Sequence, residues 1–325
     1  MAQCSKKRSG VAVEAEIDAE VRLPNLGPVA VSARPGAEHD TLHTCMCTAA
    51  LCARHQAARS VQEALATLKR LCVSTSQARH ATACSDVTSI YVSDPSSRCT
   101  ADRLVAAAVL PHFPNLQELR LSYADLSGDG VRALAEPLGR LTALTYLDLD
   151  GNSIGDDGAR ALAEPLGRLD MLQELYLNDI GISATGVRAL AEPLGCLTQL
   201  TSLNLRDNGI GDDGARALAE PLGRLTRLSE LDLRNCDIGA AGACALAEPL
   251  GPLVLEYLNL AHNRIGSEGA YALAEPVSRH GVRLEGLFLE NNGIGRGGKR
   301  AITKAFEGRY SRQEFDVALL QLESF

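Results

Sequence analysis

Between residues 87 and 307 the apolar positions follow two periods in alternation. In Leu144-Thr-Tyr-Leu147-Asp-Leu149 the spacing is two, which puts Leu147 and Leu149 on one face of a short strand and Tyr146, Asp148 and Asp150 on the other. Further along, Ala161, Leu162 and Leu166 follow a helical spacing, so a helix with one buried stripe is predicted behind each strand. The pair returns with first leucines at Leu116, Leu144, Leu172, Leu200, Leu228, Leu255 and Leu284, at steps of 27 to 29 residues. A degenerate copy opens at Val87, with Ile90 and Val92, making eight units. No unit of this size buries its own leucines, so stability must come from stacking the units in a row.

The full unit reads L-x-x-L-x-L-x-x-(N/C/other)-x-I-G-x-x-G-A-x-A-L-A-E-P-L-G-x-L. This motif resembles the leucine-rich repeat, and its length with G-x-x-G-x-x-x-L in the second half is similar to the ribonuclease-inhibitor-like subtype. The resemblance implies an α/β solenoid: an arc with a parallel concave sheet and convex helices, about eight repeats, covered by terminal caps. Gly155 to Leu169 is identical to Gly211 to Leu225, so the duplicating unit is a pair of repeats. The ninth position is accordingly mixed: Asn152, Asn208, Asn263 and Asn292 are placed to turn inward and bond loop backbone, whereas Ala124, Ile180 and Cys236 fill the place with apolar volume.

Other columns carry structural expectations. Asp156, Asp212 and Ser267 are predicted to cap the helix of their own unit. Gly130, Gly158, Gly186, Gly214, Gly242, Gly269 and Gly298 fall in the first helical turn, where a side chain would hold neighbouring units apart. Pro137, Pro165, Pro193, Pro221, Pro249 and Pro276 lie about two turns in, and each is expected to stop or kink its helix. Arg132, Arg160, Arg188 and Arg216 stand four residues before Glu136, Glu164, Glu192 and Glu220, a spacing for exposed ion pairs of little energetic worth.

The flanks divide the rest of the chain. Residues 1–58 read as a largely disordered segment, with prolines and glycines and no periodicity over Val21 to Glu38. Residues 59–86 form an N-terminal helical cap, because Ser60-Val-Gln-Glu63 has capping-box spacing before Val61, Ala64, Leu65, Leu68 and Leu71. The repeats occupy 87–307, and 308–325 read as a C-terminal cap; Phe306, Tyr310, Phe315, Val317, Leu319, Leu320 and Leu322 concentrate apolar side chains around it.

Composition sharpens this picture at two points. Trp is absent and there are only 5 Phe and 7 Tyr in 325 residues, so the core must be aliphatic. Six of those twelve aromatics, Tyr91, Tyr123, Tyr146, Tyr176, Tyr257 and Phe288, fall in the outward strand positions or just after them. Aromatics on a rigid concave sheet give large contact area at low entropic cost, which makes this column the candidate partner-binding face. Carboxylates are interleaved there, Asp148 and Asp232 among Glu118, Asp150, Glu174, Glu230 and Glu290, with Arg120, Arg206 and Arg234 as the basic exceptions. The expected partner is therefore a protein with a partly basic surface.

Charge and motifs exclude several classes. The first 86 residues hold 10 basic and 8 acidic side chains, and the remainder 22 and 32, so the repeat region is poorly suited to nucleic acid. No run approaches a membrane span, the N-terminus lacks the apolar stretch of a signal peptide, and ten scattered cysteines suit a reducing, cytoplasmic setting. His43, Cys45, Cys47, Cys52 and His55 are metal-ligand residue types in close array, but C-x-C is not the usual zinc spacing. No phosphate-binding loop, nucleophile elbow or H-E-x-x-H is present, and no cofactor is expected.

The expected function is a non-catalytic scaffold binding a protein on the concave face. Two alternatives follow from resemblance. Ran GTPase-activating protein is built from similar repeats, which implies as the first alternative a GTPase-activating protein acting on a small GTPase, although that family's strongly acidic tail has no counterpart in Gln321-Leu-Glu-Ser-Phe325. An inhibitor of a basic enzyme, in the manner of ribonuclease inhibitor, would use the acidic face and weaken steeply with salt.

Overall fold

The computed structural model describes residues 88–91, 110–279 and 284–306, the side chains of 275, 277–279 and 306 apart. The helix expected at 60–71, the C-terminal cap and the His43 to His55 cluster lie outside them.

Within each unit three residues pair as a strand: β1 Ser89–Tyr91, β2 Glu118–Arg120, β3 Tyr146–Asp148, β4 Glu174–Tyr176, β5 Ser202–Asn204, β6 Glu230–Asp232, β7 Tyr257–Asn259 and β8 Gly286–Phe288. Among the described residues all eight pair in parallel and in chain order, in one sheet. The central residue of every strand points into the core and the two outer ones face the other way, as period two requires. Helices follow the strands: α1 Gly128–Leu138, α2 Gly155–Leu166, α3 Ala184–Cys196, α4 Gly211–Arg224, α5 Ala240–Leu250, α6 Gly266–Arg279 and α7 Arg296–Phe306. Strands stack at about 4.8 Å and helices at about 8–10 Å, so the repeats bend with the sheet inside. The core between the layers is one continuous leucine and isoleucine cluster, in which Phe113 is the buried aromatic.

Asparagine in the ninth position does what its chemistry suggests, and it serves two units at once. Asn208 Nδ2 donates to the Leu205 and Arg206 carbonyls of its own unit and to Leu177 of the preceding one, and its Oδ1 accepts from Ile180 N and Ile182 N. Asn152 and Asn263 repeat this reach, to Leu126 N and Leu121 O, and to Cys236 N, Ile238 N and Leu233 O. Asn152, Asn208 and Asn263, one in every second repeat, therefore each satisfy the loops of two units, and Asn292 in the last described repeat adds the same bonds to the unit of Asn263. Cys236 is more than apolar filling: its thiol donates to Leu205 O and Arg234 O at 3.2 and 3.4 Å, and burial pushes it up to about 12.

The expected helix caps require correction. Asp156 and Asp212 lie in the first turn of α2 and α4, whose N-cap positions, Ile154 and Ile210, make no side-chain cap bond. Their carboxylates reach the next repeat instead. Asp156 Oδ1 accepts from Ser183 N and Gly186 N at 2.7 and 3.0 Å, and Asp212 Oδ1 accepts from Gly239 N and Gly242 N at 2.6 and 2.8 Å. Ser267 does the same for Gly295 N. The reason is register: strands pair residue on residue every 27 to 29 positions, so the first turn of one helix faces the open N–H groups at the start of the next. Gly186 and Gly242 make room for the carboxylates, since an added Cβ would lie 2.5 and 2.6 Å from Asp156 Oδ1 and Asp212 Oδ1. The two-repeat period thus has a physical content. Units carrying Asn152 with Asp156, or Asn208 with Asp212, satisfy the preceding loop and the following helix, and the units between receive both.

Two further expectations change, the first in part. The helices end one residue past Pro137, Pro165 and Pro249, at the expected stop, but run three residues past Pro193, Pro221 and Pro276. The leucine after each of the first five prolines is buried, which holds the last turn on the core despite the lost N–H. On the convex surface Arg132, Arg160 and Arg216 pair backward with Asp129, Asp157 and Asp213, while Glu136, Glu164 and Glu220 take Arg140, Arg168 and Arg224. These groups are mostly exposed, so their contribution stays small.

Candidate functional site

The outward strand positions and the turns after them form the inner face of the sheet, and every aromatic expected there is described. Tyr91, Tyr146, Tyr176, Tyr257 and Phe288 are half-buried strand residues. Tyr123 is different. It follows β2 in a turn at φ 54° and is 60% exposed, with its ring laid over Gly151, where an added Cβ would lie 2.3 Å from the ring.

The rings are brought together in two places. At one, Tyr146 and Tyr176 lie 5.2 Å apart between centroids with planes tilted 34°, and at the other Tyr257 and Phe288 lie 4.9 Å apart at 42°. Register explains the likeness. Tyr176 is opposite Asp148 and Phe288 opposite Asn259, so each pair is a diagonal from the first position of one strand to the third of the next. The first pair is extended by Arg120, whose guanidinium carbon lies 4.2 Å from the Tyr146 centroid and 5.0 Å from that of Tyr91. Tyr91 donates to Glu118, which also lies 3.8 Å from Arg120. Arg120 is thus a cation held between two rings as much as a charge for a partner. Burial holds the Tyr146 hydroxyl up at about 12; burial, then the Glu174 bond at 2.9 Å, raises that of Tyr176. Both hydroxyls remain neutral donors at physiological pH.

Polar groups stand beside the rings and on the strands between the two pairs. Asp148 Oδ1 accepts from Asp150 N, Asp150 Oδ1 from Asn178 N at 2.6 Å, and Asp232 from Arg234 N and Asn259 Nδ2. Arg206 is bound by Asp207 at 2.7 Å. Asn178, Asn204 and Asn259 complete this floor beyond the residues that the sequence marks; their signal is the same outward column that holds the tyrosines, without an aromatic or a charge. Burial pushes Asp150 up to about 6 and raises Asp232, against the bonds from Asn178 N and Arg234 N respectively.

This has a consequence for stability. A carboxyl whose folded pKa lies above its ordinary value favours the protonated folded state at low pH, and that advantage is lost as pH rises from about 4 to 6. Asp150→Asn removes the ionisation penalty. The variant should be more stable than the parent at pH 7 by about 1 kcal/mol after solvent screening, and equal to it below about pH 4, as read by urea denaturation at both pH values.

Among the described residues no three His, Cys, Asp or Glu side chains are placed to share a metal ion, and no helix is long and apolar enough to cross a membrane. His262 is exposed on the turn after β7, with the Asn291 amide within 3.1 Å of its ring.

One family model agrees with the repeat pattern. The family model described as Leucine Rich repeat matches residues 113–135, 141–163, 197–219, 225–247 and 253–274. No curated protein matches the chain significantly. Among solved structures, an internalin from Listeria monocytogenes is 18% identical, with a TM-score of 0.38, covering 68% of this chain and 79% of its own. Internalin C2 of the same organism is 18% identical at 0.41, covering 70% and 79%, and the actin-binding site 2 of leiomodin-1 is 18% identical at 0.37, covering 47% and 87%.

Proposed function

We propose that this leucine-rich repeat solenoid is a non-catalytic scaffold that binds a partner protein on the inner face of its sheet. The observation that carries the reading is the pair of aromatic clusters, Tyr146 with Tyr176 and Tyr257 with Phe288, standing half-exposed on a sheet whose other face is solid leucine. Rings fixed by their strands lose little entropy on binding and offer both apolar faces and hydroxyl donors. The carboxylates beside them favour a partner with a partly basic surface, and the excess of 32 acidic over 22 basic residues from 87 onward disfavours nucleic acid. Cys236 supports the non-catalytic reading, because its thiol is fully buried and stays protonated at neutral pH. Cys196, Cys236 and Cys244 are unpaired, in keeping with a reducing, cytoplasmic setting. The ribonuclease-inhibitor-like subtype accords with a full helix in every unit from β2 onward. A small GTPase and a basic enzyme remain two identities such a partner could have.

The experiment is affinity capture from native extract by the full chain, its Tyr146→Ala, Tyr176→Ala, Tyr257→Ala variant, and a convex control, Arg160→Ala, Arg216→Ala, each checked for unchanged folding. The expected result is loss of specific proteins with the tyrosine variant alone. Retention of the same proteins by that variant would remove the inner face from consideration. Stimulated GTP hydrolysis by a captured GTPase would make the scaffold reading incomplete.

A further inference from the structure

At β8 the hydrogen-bond ladder of the sheet stops while donors remain. After β7, Leu260 N and His262 N donate to the Phe288 and Glu290 carbonyls of the next unit, as Leu233 N and Asn235 N after β6 donate to Asn259 O and Ala261 O. The corresponding donors of the last described unit are Leu289 N and Asn291 N, which meet no acceptor among the described residues. Leu289 is only 2% exposed, so water is a poor substitute for one. Leu287 and Ile302 of the same unit are buried too, although no described unit stacks on them. A parallel strand added at this edge would satisfy the donors and cover the apolar side chains.

The sequence holds such a strand at the spacing of the repeat itself. Starting 28 residues after Leu284, the chain reads Arg312-Gln-Glu-Phe315-Asp-Val317-Ala-Leu-Leu320-Gln-Leu322. Set against Leu172-Gln-Glu-Leu175-Tyr-Leu177-Asn-Asp-Ile180-Gly-Ile182, it fills four of the five apolar places with apolar residues and repeats Gln-Glu before the second. Gly308 and Tyr310 precede Arg312 as Gly251 and Leu253 precede Leu255. The departure is Arg312 in the place of the first leucine, where its methylene stem can lie on the core and carry the charge out to water. Chain length fits as well. Glu314 stands eight residues beyond the end of α7 at Phe306, as Tyr146 stands beyond the end of α1 at Leu138 and Glu174 beyond the end of α2 at Leu166.

We propose that residues 312–322 are the strand half of a ninth repeat, and that residues 314–316 pair in parallel on the outer edge of β8. In the register of the other strands Glu314 lies opposite Gly286, Phe315 opposite Leu287 and Asp316 opposite Phe288. The Asp316 and Ala318 carbonyls then accept from Leu289 N and Asn291 N, while Phe315 and Val317 close the leucine core. Glu314 and Asp316 add a ninth row to the inner face, so the Tyr257 and Phe288 rings stand within the sheet and not at its margin. Filling the edge also removes a template on which a second copy would pair strand to strand.

The test places cysteine pairs in the full 325-residue chain and maps the disulfides that form on mild oxidation with diamide. Phe288→Cys with Asp316→Cys is the pair opposed in the proposed register. Phe288→Cys with Val317→Cys is slipped by one residue, which turns the second thiol to the core face. Adjacent strands lie about 4.8 Å apart, within disulfide reach, so the first pair should link within one chain about tenfold or more faster than the second. Hydrogen exchange then reads β8 itself. Amides of residues 286–291 should exchange slowly in the unaltered chain and about tenfold or more faster in Phe315→Asp, with those of β3 and β4 unchanged. The first cysteine pair leaves Phe315 and Val317 in place, so its link is decisive even where Phe315→Asp unfolds the chain. Equal linking of the two pairs would overturn the ninth strand, as would fast exchange at β8 in the unaltered chain. A link formed only between two chains, with a dimer in sedimentation, would give the edge to a second copy and overturn the proposal also.

Discussion

Asn208→Ala is expected to destabilise the repeats by about 4 kcal/mol, measured as a fall in the urea midpoint followed by circular dichroism. Asn208 is buried and makes five backbone hydrogen bonds, accepting from Ile180 N and Ile182 N and donating to Leu177 O, Leu205 O and Arg206 O. Alanine leaves two buried N–H groups unpaired in the preceding unit, and each such group costs about 1–3 kcal/mol. Carbonyls suffer less, because Leu205 O still accepts from the Cys236 thiol and Arg206 O from Asp179 N. The stack is held by nearest neighbours, so the loss falls on one seam and the transition should broaden as the two sides decouple. A change below about 1 kcal/mol would show that water replaces the amide and that the two-unit sharing of Asn208 adds little.

Gly242→Val should cost about as much, for a different reason. Gly242 N donates to Asp212 Oδ1 at 2.8 Å, and a Cβ at this position would lie 2.6 Å from that oxygen, 2.9 Å from Ile238 Cγ2 and 3.1 Å from Ala215 Cβ. The β-branched side chain cannot be placed without pushing α5 from α4, which breaks the cap that Asp212 supplies and opens the leucine seam. We expect a loss of about 3–5 kcal/mol in the same assay, partly recovered in the Asp212→Ala background where the carboxylate no longer stands in the way. Equal losses in both backgrounds would mean that packing against Ile238 and Ala215 dominates and the shared cap contributes little.

Those two seams show what the sequence could and could not reveal. Strand, helix and core followed from the spacing of leucines alone, because period two and period 3.6 each leave one face apolar and burial enforces the choice. The inward role of Asn152 and Asn208 was equally legible, since an amide in a loop of a leucine-rich unit has backbone groups to satisfy. What spacing within a unit could not supply was contact between units. Asp156 looked like a cap for its own helix, yet it caps the next one, and Arg132 looked like a partner for Glu136, yet it turns back to Asp129. The prolines mark the helix end at Pro137, Pro165 and Pro249 but not at Pro193 and Pro221, where three further residues stay helical; local propensity does not distinguish the two cases, since a buried leucine follows all five. On the inner face the column of tyrosines was plain, but the pairing of Tyr146 with Tyr176 and of Tyr257 with Phe288 depends on strand register, which no single unit contains. The carboxylate at Asp150 was visible as a charge; its displacement to about 6 arises from burial that only the assembled sheet provides.

The central claim is that the inner face, and not the ion-paired convex helices, makes the partner contact. Its most direct test is photo-crosslinking in native extract, with a photo-reactive phenylalanine analogue placed singly at Tyr176, Phe288, Arg160 or Arg216 of the full chain. The account predicts adducts with the same partner from the two inner-face positions and none from the two convex ones. Adducts from Arg160 and Arg216, with none from Tyr176 and Phe288, would contradict it.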